Sequence, residues 1–197
     1  MIVLLPGMDG TGDLLLPFLQ VLPECQAVRV IRYPTDHSLS YAELERYVIS
    51  AFPIGEPITL IAESFSGPIA LRLSTDRSLN LRAVVVVCGF ASHPLGFSGT
   101  ILARLPLSWL FKLEVPPIIL RTFLLGNDAS DELLRATAQA IWSVRPNVLA
   151  DRLREALTSR YCSVQITPVA RVVVLFSEKD RLIGKKALKV DHADCGA

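Results

Sequence analysis

The 197-residue sequence is poor in the groups that metal and redox chemistry need, with three histidines, two methionines and four cysteines. Cys25, Cys88, Cys162 and Cys195 form no CxxC pair and have no metal-ligand spacing, so they read as ordinary thiols rather than a zinc site or a disulfide framework. Charge of one sign is also scarce. A formal net charge of +1 provides no long-range field to gather nucleic acid or an anionic membrane. No unbroken apolar run reaches the roughly 20 residues that span a bilayer. The most apolar region, Leu105 to Leu125, is interrupted by Lys112, Glu114, Pro116, Pro117 and Arg121. The opening Met1-Ile2-Val3-Leu4-Leu5 carries no basic segment and runs straight into Pro6, Gly7 and Asp9, unlike a secretory signal. These absences point to a cytoplasmic protein with no metal, no cofactor, no nucleic-acid partner and no membrane span. Its expected partner is a small molecule.

What the sequence does have is apolar mass, at 51% hydrophobic residues, enough for one sizeable core and a single domain over 1–197. Short β-branched runs alternate with longer segments of helical period, the pattern of a mostly parallel, doubly wound α/β sheet. The strands are expected at Ile2 to Leu5, Ala27 to Arg32, Ile58 to Ala62, Ala83 to Cys88 and Val172 to Phe176. Ser40-Tyr41-Ala42-Glu43 is a capping-box sequence, and Leu44, Val48 and Phe52 recur on one face of the helix it opens. From about Pro94 to Arg160 strand signals vanish and prolines punctuate successive helical segments, so a helical cap inserted over 94–160 is expected. Trp109, Phe111, Ile119, Leu120, Phe123 and Trp142 in this segment could line a pocket from above. Base rates of burial favour plain core for them.

The chemistry gathers where strands end. Ile58 to Ala62 stops at Glu63-Ser64-Phe65-Ser66-Gly67, and a helical segment starts at once at Pro68. A sharp strand-to-helix turn of this kind lifts a serine oxygen off the sheet edge and leaves backbone N–H groups beneath it. The usual Gly-x-Ser-x-Gly is altered to Ala62-x-Ser64-x-Ser66, with the next-smallest side chains in place of both glycines. An ordinary serine in a βα turn is the bland alternative; the strand, turn and helix together favour Ser64 as a nucleophile.

The first strand leads into Pro6-Gly7-Met8-Asp9-Gly10-Thr11-Gly12, a loop able to supply one N–H to a tetrahedral oxyanion from Met8, with the other from Phe65. Gly7, Gly10 and Gly12 also suggest a phosphate cradle, with Asp36 as ribose ligand. The order GxxGxG, the missing lysine and the carboxylate of Asp9 weigh against that reading. After the last strand, Ser177-Glu178-Lys179-Asp180 offers an acid on the same sheet edge, where it could orient a histidine.

Together the LPGMDGTG loop, the AESFSGPIA turn and the FSEKDRLI loop resemble the α/β-hydrolase superfamily, specifically its small cytosolic esterase-like members, over roughly Met1 to Leu188. The resemblance implies a parallel core sheet, a helical lid and hydrolysis of small apolar esters or thioesters through an acyl-enzyme on Ser64. Dehalogenase relatives carry Asp at the nucleophile position, which Ser64 argues against. In the family the catalytic histidine follows a further helix and strand beyond the acid, but Asp180 stands 17 residues before the end of the sequence. A crossover alone takes a dozen or more residues. The C-terminal strand and histidine segment are therefore expected to be missing, as in a truncated chain.

Three histidines compete for the role of base. His192 follows Asp180 in the expected order, His93 follows the fourth strand, and His37 reads as a solvated loop residue. A chain with no competent base would be an impaired fragment that at most binds a small apolar ligand. Without a covering strand, 172–176 would be an apolar sheet edge suited to pairing two copies of the chain.

Overall fold

The computed structural model describes residues 1–91, 96–113, 116–126, 128–158 and 168–177. Among these, five strands form one sheet: β1 (Ile2–Leu5), β2 (Val28–Val30), β3 (Ile58–Glu63), β4 (Leu81–Val87) and β5 (Arg171–Leu175). Their order is β2-β1-β3-β4-β5, and every neighbouring pair is parallel, as expected for a doubly wound sheet. Leu5 is in register with Ala62, so the β1 loop and the Ser64 turn leave the sheet side by side. Chain direction across the sheet reverses between β1→β2 and β2→β3, and this switch point opens a crevice at the carboxyl edge.

Helices α1 (Leu16–Gln20), α2 (Tyr41–Ser50) and α3 (Gly67–Leu73) connect the first four strands. Right-handed crossovers put α1 on the opposite face from α2 and α3. The capping box is formed in full, the Ser40 side chain accepting from the Glu43 N–H while Glu43 reaches back to the Ser40 N–H. Leu44 and Val48 are buried from α2, and Phe52, just past its end, packs on the same core. That core is one cluster built from the strands and the inner faces of α2 and α3.

β2 is shorter than the sequence suggests, and the reason is local. The Ile31 N–H still bonds the Leu4 carbonyl at 3.0 Å, but the Tyr33 N–H turns to the Gly10 carbonyl at 2.8 Å. The end of the strand is diverted to hold the β1 loop. β4 stops at Val87 because Cys88 has φ 47°, in the left-handed region that ends a strand.

Between β4 and β5 come α4 (Gly96–Leu102), α5 (Leu107–Leu110), α6 (Pro117–Ile119), a π-helical turn (Leu120–Leu125), α7 (Asp131–Trp142) and α8 (Pro146–Thr158). The core placement expected for the bulky residues here holds for Leu120, which is buried, and in part for Phe111, which packs on Val144, Val148 and Leu149. It fails for Trp109, Ile119 and Trp142, which are 61%, 42% and 58% exposed. A one-turn helix such as α5 has room for one inward side chain, and Leu107 takes it. Among the described residues no helix is long and apolar enough to cross a membrane.

Candidate active site

Glu63 ends β3 in an extended conformation, and Ser64 then adopts φ 47°, one of two non-glycine residues in the left-handed region among the described residues. For an L-residue this conformation costs about 1–2 kcal/mol. It persists because both sides of the turn are held. A 3-10 turn, Ser64–Ser66, leads directly into α3, so the strand-to-helix turn expected from the sequence is present.

Phe65 anchors the turn from below. Its side chain is buried, with its ring stacked on Tyr41 at 4.8 Å and edge-on to Tyr33 at 6.4 Å. The Tyr41 hydroxyl donates to the Phe65 carbonyl at 3.1 Å. Gly67 supplies the space that the altered motif moves one residue along. A Cβ there would lie 3.1 Å from the Phe90 nitrogen and 3.2 Å from the Gly89 Cα, so α3 and the loop after β4 meet only because this residue has none.

Ser66, standing where the usual motif has glycine, has its own task. Its hydroxyl is fully buried and donates to the Pro6 carbonyl, so the Tyr33 hydroxyl, 2.6 Å away, must be the donor in the second bond. Burial holds the Tyr33 phenol protonated, well above its ordinary range, which suits a donor. The chain Tyr33–Ser66–Pro6 thus ties the segment after β2, the serine turn and the β1 loop together.

The β1 loop is tightly wound. The Gly10 N–H donates to the Gly7 carbonyl at 3.1 Å, and the Asp9 carboxylate accepts from the Thr11 N–H at 2.8 Å and from the Thr11 hydroxyl. This weighs against a phosphate cradle, because the loop already wraps a carboxylate of its own with an amide that a phosphate would need. The Glu63 carboxyl lies against Gly7 as well: a Cβ there would be in ordinary contact with it at 3.6 Å and with the Asp9 carboxylate at 3.7 Å. Burial first, and the charge of Asp9 second, push the Glu63 pKa above the usual carboxylate range, while the Gly7 N–H opposes the shift.

From α8, Arg152 reaches the same loop. It is 2% exposed, and its Nη1 donates to the carbonyls of Met8 at 2.9 Å and Asp9 at 2.7 Å, its Nη2 to that of Pro34 at 2.7 Å. α8 and the residue before it are stitched to the segment after β2 by further bonds, Arg145 N–H to the Thr35 carbonyl and the Ser38 hydroxyl to Asp151.

Of the residues singled out from sequence, Ser64, Phe65 and Met8 are therefore on adjoining loops at one edge. β5 is parallel to β3, and its Leu175 carbonyl accepts from the Cys88 N–H at 2.7 Å, so the loop after β5 leaves from this edge too. Asp180, His93 and His192 lie outside the described residues. His37 is a solvated loop residue, its Nδ1 2.8 Å from Asp36. Among the described residues no group of three or more His, Cys, Asp or Glu side chains is arranged to hold a metal ion. Sequence reading missed Glu63, Ser66, Tyr33 and Arg152. For Arg152 a signal existed: it stands four residues from Val148 and four from Ala156, a charge on the apolar stripe of an amphipathic helix.

No family model matches this sequence, and no curated protein does. Solved structures do. An N-formylmaleamic acid deformylase from Pseudomonas putida superposes with a TM-score of 0.67 at 12% identity, over 94% of this chain and 77% of that one. A hydrolase from Oleispira antarctica gives 0.65 at 15% identity, over 94% and 75%. A structure from a study of carboxylesterases of Nitrososphaera gargensis gives 0.59 at 12%, over 89% and 71%. At such identities the likeness speaks for backbone architecture, and together with the parallel sheet, its strand order and the turn at Ser64 it assigns this chain the α/β-hydrolase fold.

Proposed function

We propose that the chain is a serine hydrolase that cleaves carboxylic esters or thioesters with small apolar groups through an acyl-enzyme on Ser64. The observation that carries this reading is the φ of 47° at Ser64, on a turn between a central parallel strand and a helix. Backbone strain at one half-buried polar side chain has a use if that side chain must face a substrate.

In the proposed reaction the Ser64 oxygen attacks the substrate carbonyl carbon as its proton passes to a histidine. The negative oxygen formed is held by the N–H groups of Met8 and Phe65. The Gly7–Met8 peptide suits that role, because its carbonyl is turned inward to the Gly10 N–H and a trans peptide aims its N–H the opposite way. Collapse breaks the bond to the leaving alcohol or thiol, which takes the proton from the histidine, and water then cleaves the acyl-enzyme by the same route. His192, oriented by Asp180, is proposed as that base, with His93 as the other candidate.

The helices between β4 and β5 are proposed as the cap over 94–160, and their exposed Trp109, Ile118 and Trp142 fit an apolar substrate. The fold neighbours support hydrolysis of acyl groups, since they include a deformylase and a carboxylesterase structure. β5 is the edge of the described sheet, and its pairing with a second copy is proposed. A cytoplasmic location is proposed in keeping with the free thiols of Cys25 and Cys88.

Hydrolysis of a short-chain aryl ester by the wild-type chain and by Ser64→Ala tests the reading. Turnover lost by at least about 1,000-fold in the variant supports it. Equal rates would leave a non-catalytic binder of small apolar molecules as the reading to pursue.

A further inference from the structure

We infer that Arg152 is a positioning residue for the oxyanion loop: its guanidinium, delivered by α8, locks the Met8–Asp9 backbone so that the Met8 N–H is held toward the substrate. The inference rests on the proposed role of Met8.

Arg152 is set apart by what it does not do. It is buried, yet none of its three hydrogen bonds goes to a carboxylate; all go to main-chain carbonyl oxygens, those of Met8, Asp9 and Pro34. Burying a guanidinium is costly, and an apolar side chain would fill the same volume without that cost. The cation is useful where several carbonyl acceptors converge in a site closed to water, because only a planar fork of donors satisfies them together. The Tyr33 ring stacks beneath it at 5.7 Å, and Tyr33 also donates to Ser66 in the serine turn. One side chain therefore touches both supports of the site.

The loop is shaped around the guanidinium. A Cβ on Gly10 would fall 2.5 Å from Nη1, inside van der Waals contact, and the φ of +73° at Gly10 suits a residue with no Cβ. With the Met8 and Asp9 carbonyls both held, the dihedrals between them have little freedom. The Gly7–Gly10 turn then fixes the preceding peptide, whose N–H is that of Met8. α8 is thereby a fixed wall of the site. Three of its residues, Asp151, Arg152 and Glu155, together with Arg145 just before it, bond the segment Pro34 to Tyr41 or the β1 loop.

The test combines amide hydrogen exchange with steady-state kinetics on wild type, Arg152→Met and Arg152→Lys. In both variants amides of residues 7–10 are expected to exchange at least about 10-fold faster, with protection of β1, β3 and β4 unchanged. With an aryl ester, kcat is expected to fall about 100-fold in Arg152→Met and KM to move less than about threefold, as when one oxyanion donor is misplaced. Lysine keeps charge and stem but cannot span three carbonyls, so Arg152→Lys decides the matter if Arg152→Met does not fold. Unchanged loop exchange in a folded variant overturns the inference. So does a loss expressed in KM with kcat intact, or faster exchange spread evenly over the sheet. If the wild type shows no Ser64-dependent turnover, the hydrolase reading fails, and the exchange comparison still decides whether Arg152 holds the loop.

Discussion

At the scale of the residue, two groups at the turn carry opposing demands on stability. Ser64 occupies a left-handed conformation that a glycine would take without strain. Ser64→Gly should therefore be more stable than Ser64→Ala by about 1 kcal/mol, read from urea denaturation, while both lack the hydroxyl. Equal stabilities would mean that the turn is relaxed in solution. Its neighbour Glu63 has a pKa raised by burial and by Asp9, so the folded chain keeps a proton that the unfolded chain releases at lower pH. Stability falls as pH rises from the ordinary carboxylate range through the raised value. Glu63→Gln removes that fall. The melting temperature of the variant minus that of wild type should increase between about pH 4 and pH 7, the span above an unperturbed glutamate. A flat or decreasing difference would show that the Gly7 N–H, not burial, governs this carboxyl.

Elements were legible from sequence where their signals are local. The five strands, the capping box at Ser40 and the turn at Ser64 are each written in a few consecutive residues, and the parallel order follows from crossover handedness once they are known. What joins the elements was not legible, because it is separated along the chain. Ser66 reaches Pro6 across 60 positions and Arg152 reaches Met8 across 144. Taken alone, Ser66 looked like a degenerate glycine. In the fold it is a buried donor and acceptor between the segment after β2, the turn and the β1 loop. Ser66→Ala should consequently cost about 1–3 kcal/mol, the penalty of leaving the Tyr33 hydroxyl and the Pro6 carbonyl without that partner. A loss below about 0.5 kcal/mol would show that the bond to Pro6 contributes little. The exposed tryptophans of α5 and α7 were misjudged for a different reason, since base rates of burial describe residues packed on a large core and these helices have only a small one.

At the scale of the whole molecule, the sheet sets both the site and the flank at β5. Val172 and Val174 pack on the core, Val173 faces the other way, and β5 has a neighbour on one side only among the described residues. An apolar strand with free N–H and C=O groups is a template for another strand. Light scattering after size exclusion should give a mass that rises toward a dimer with concentration, and Val173→Lys should hold it at the monomer. A wild type that is monomeric at every concentration would remove this edge as an interface. The carboxyl edge of the same sheet brings the Met8 loop and the Phe65 turn together on either side of a switch point, where Ser64 is the proposed nucleophile backed by their N–H groups. Reaction of the intact chain with an alkyl fluorophosphonate, followed by mass measurement of the protein and of its peptides, tests that role most directly. One adduct on the peptide carrying Ser64, absent from Ser64→Ala, is the predicted result; an unlabelled wild type, or equal labelling of the variant, would contradict the account.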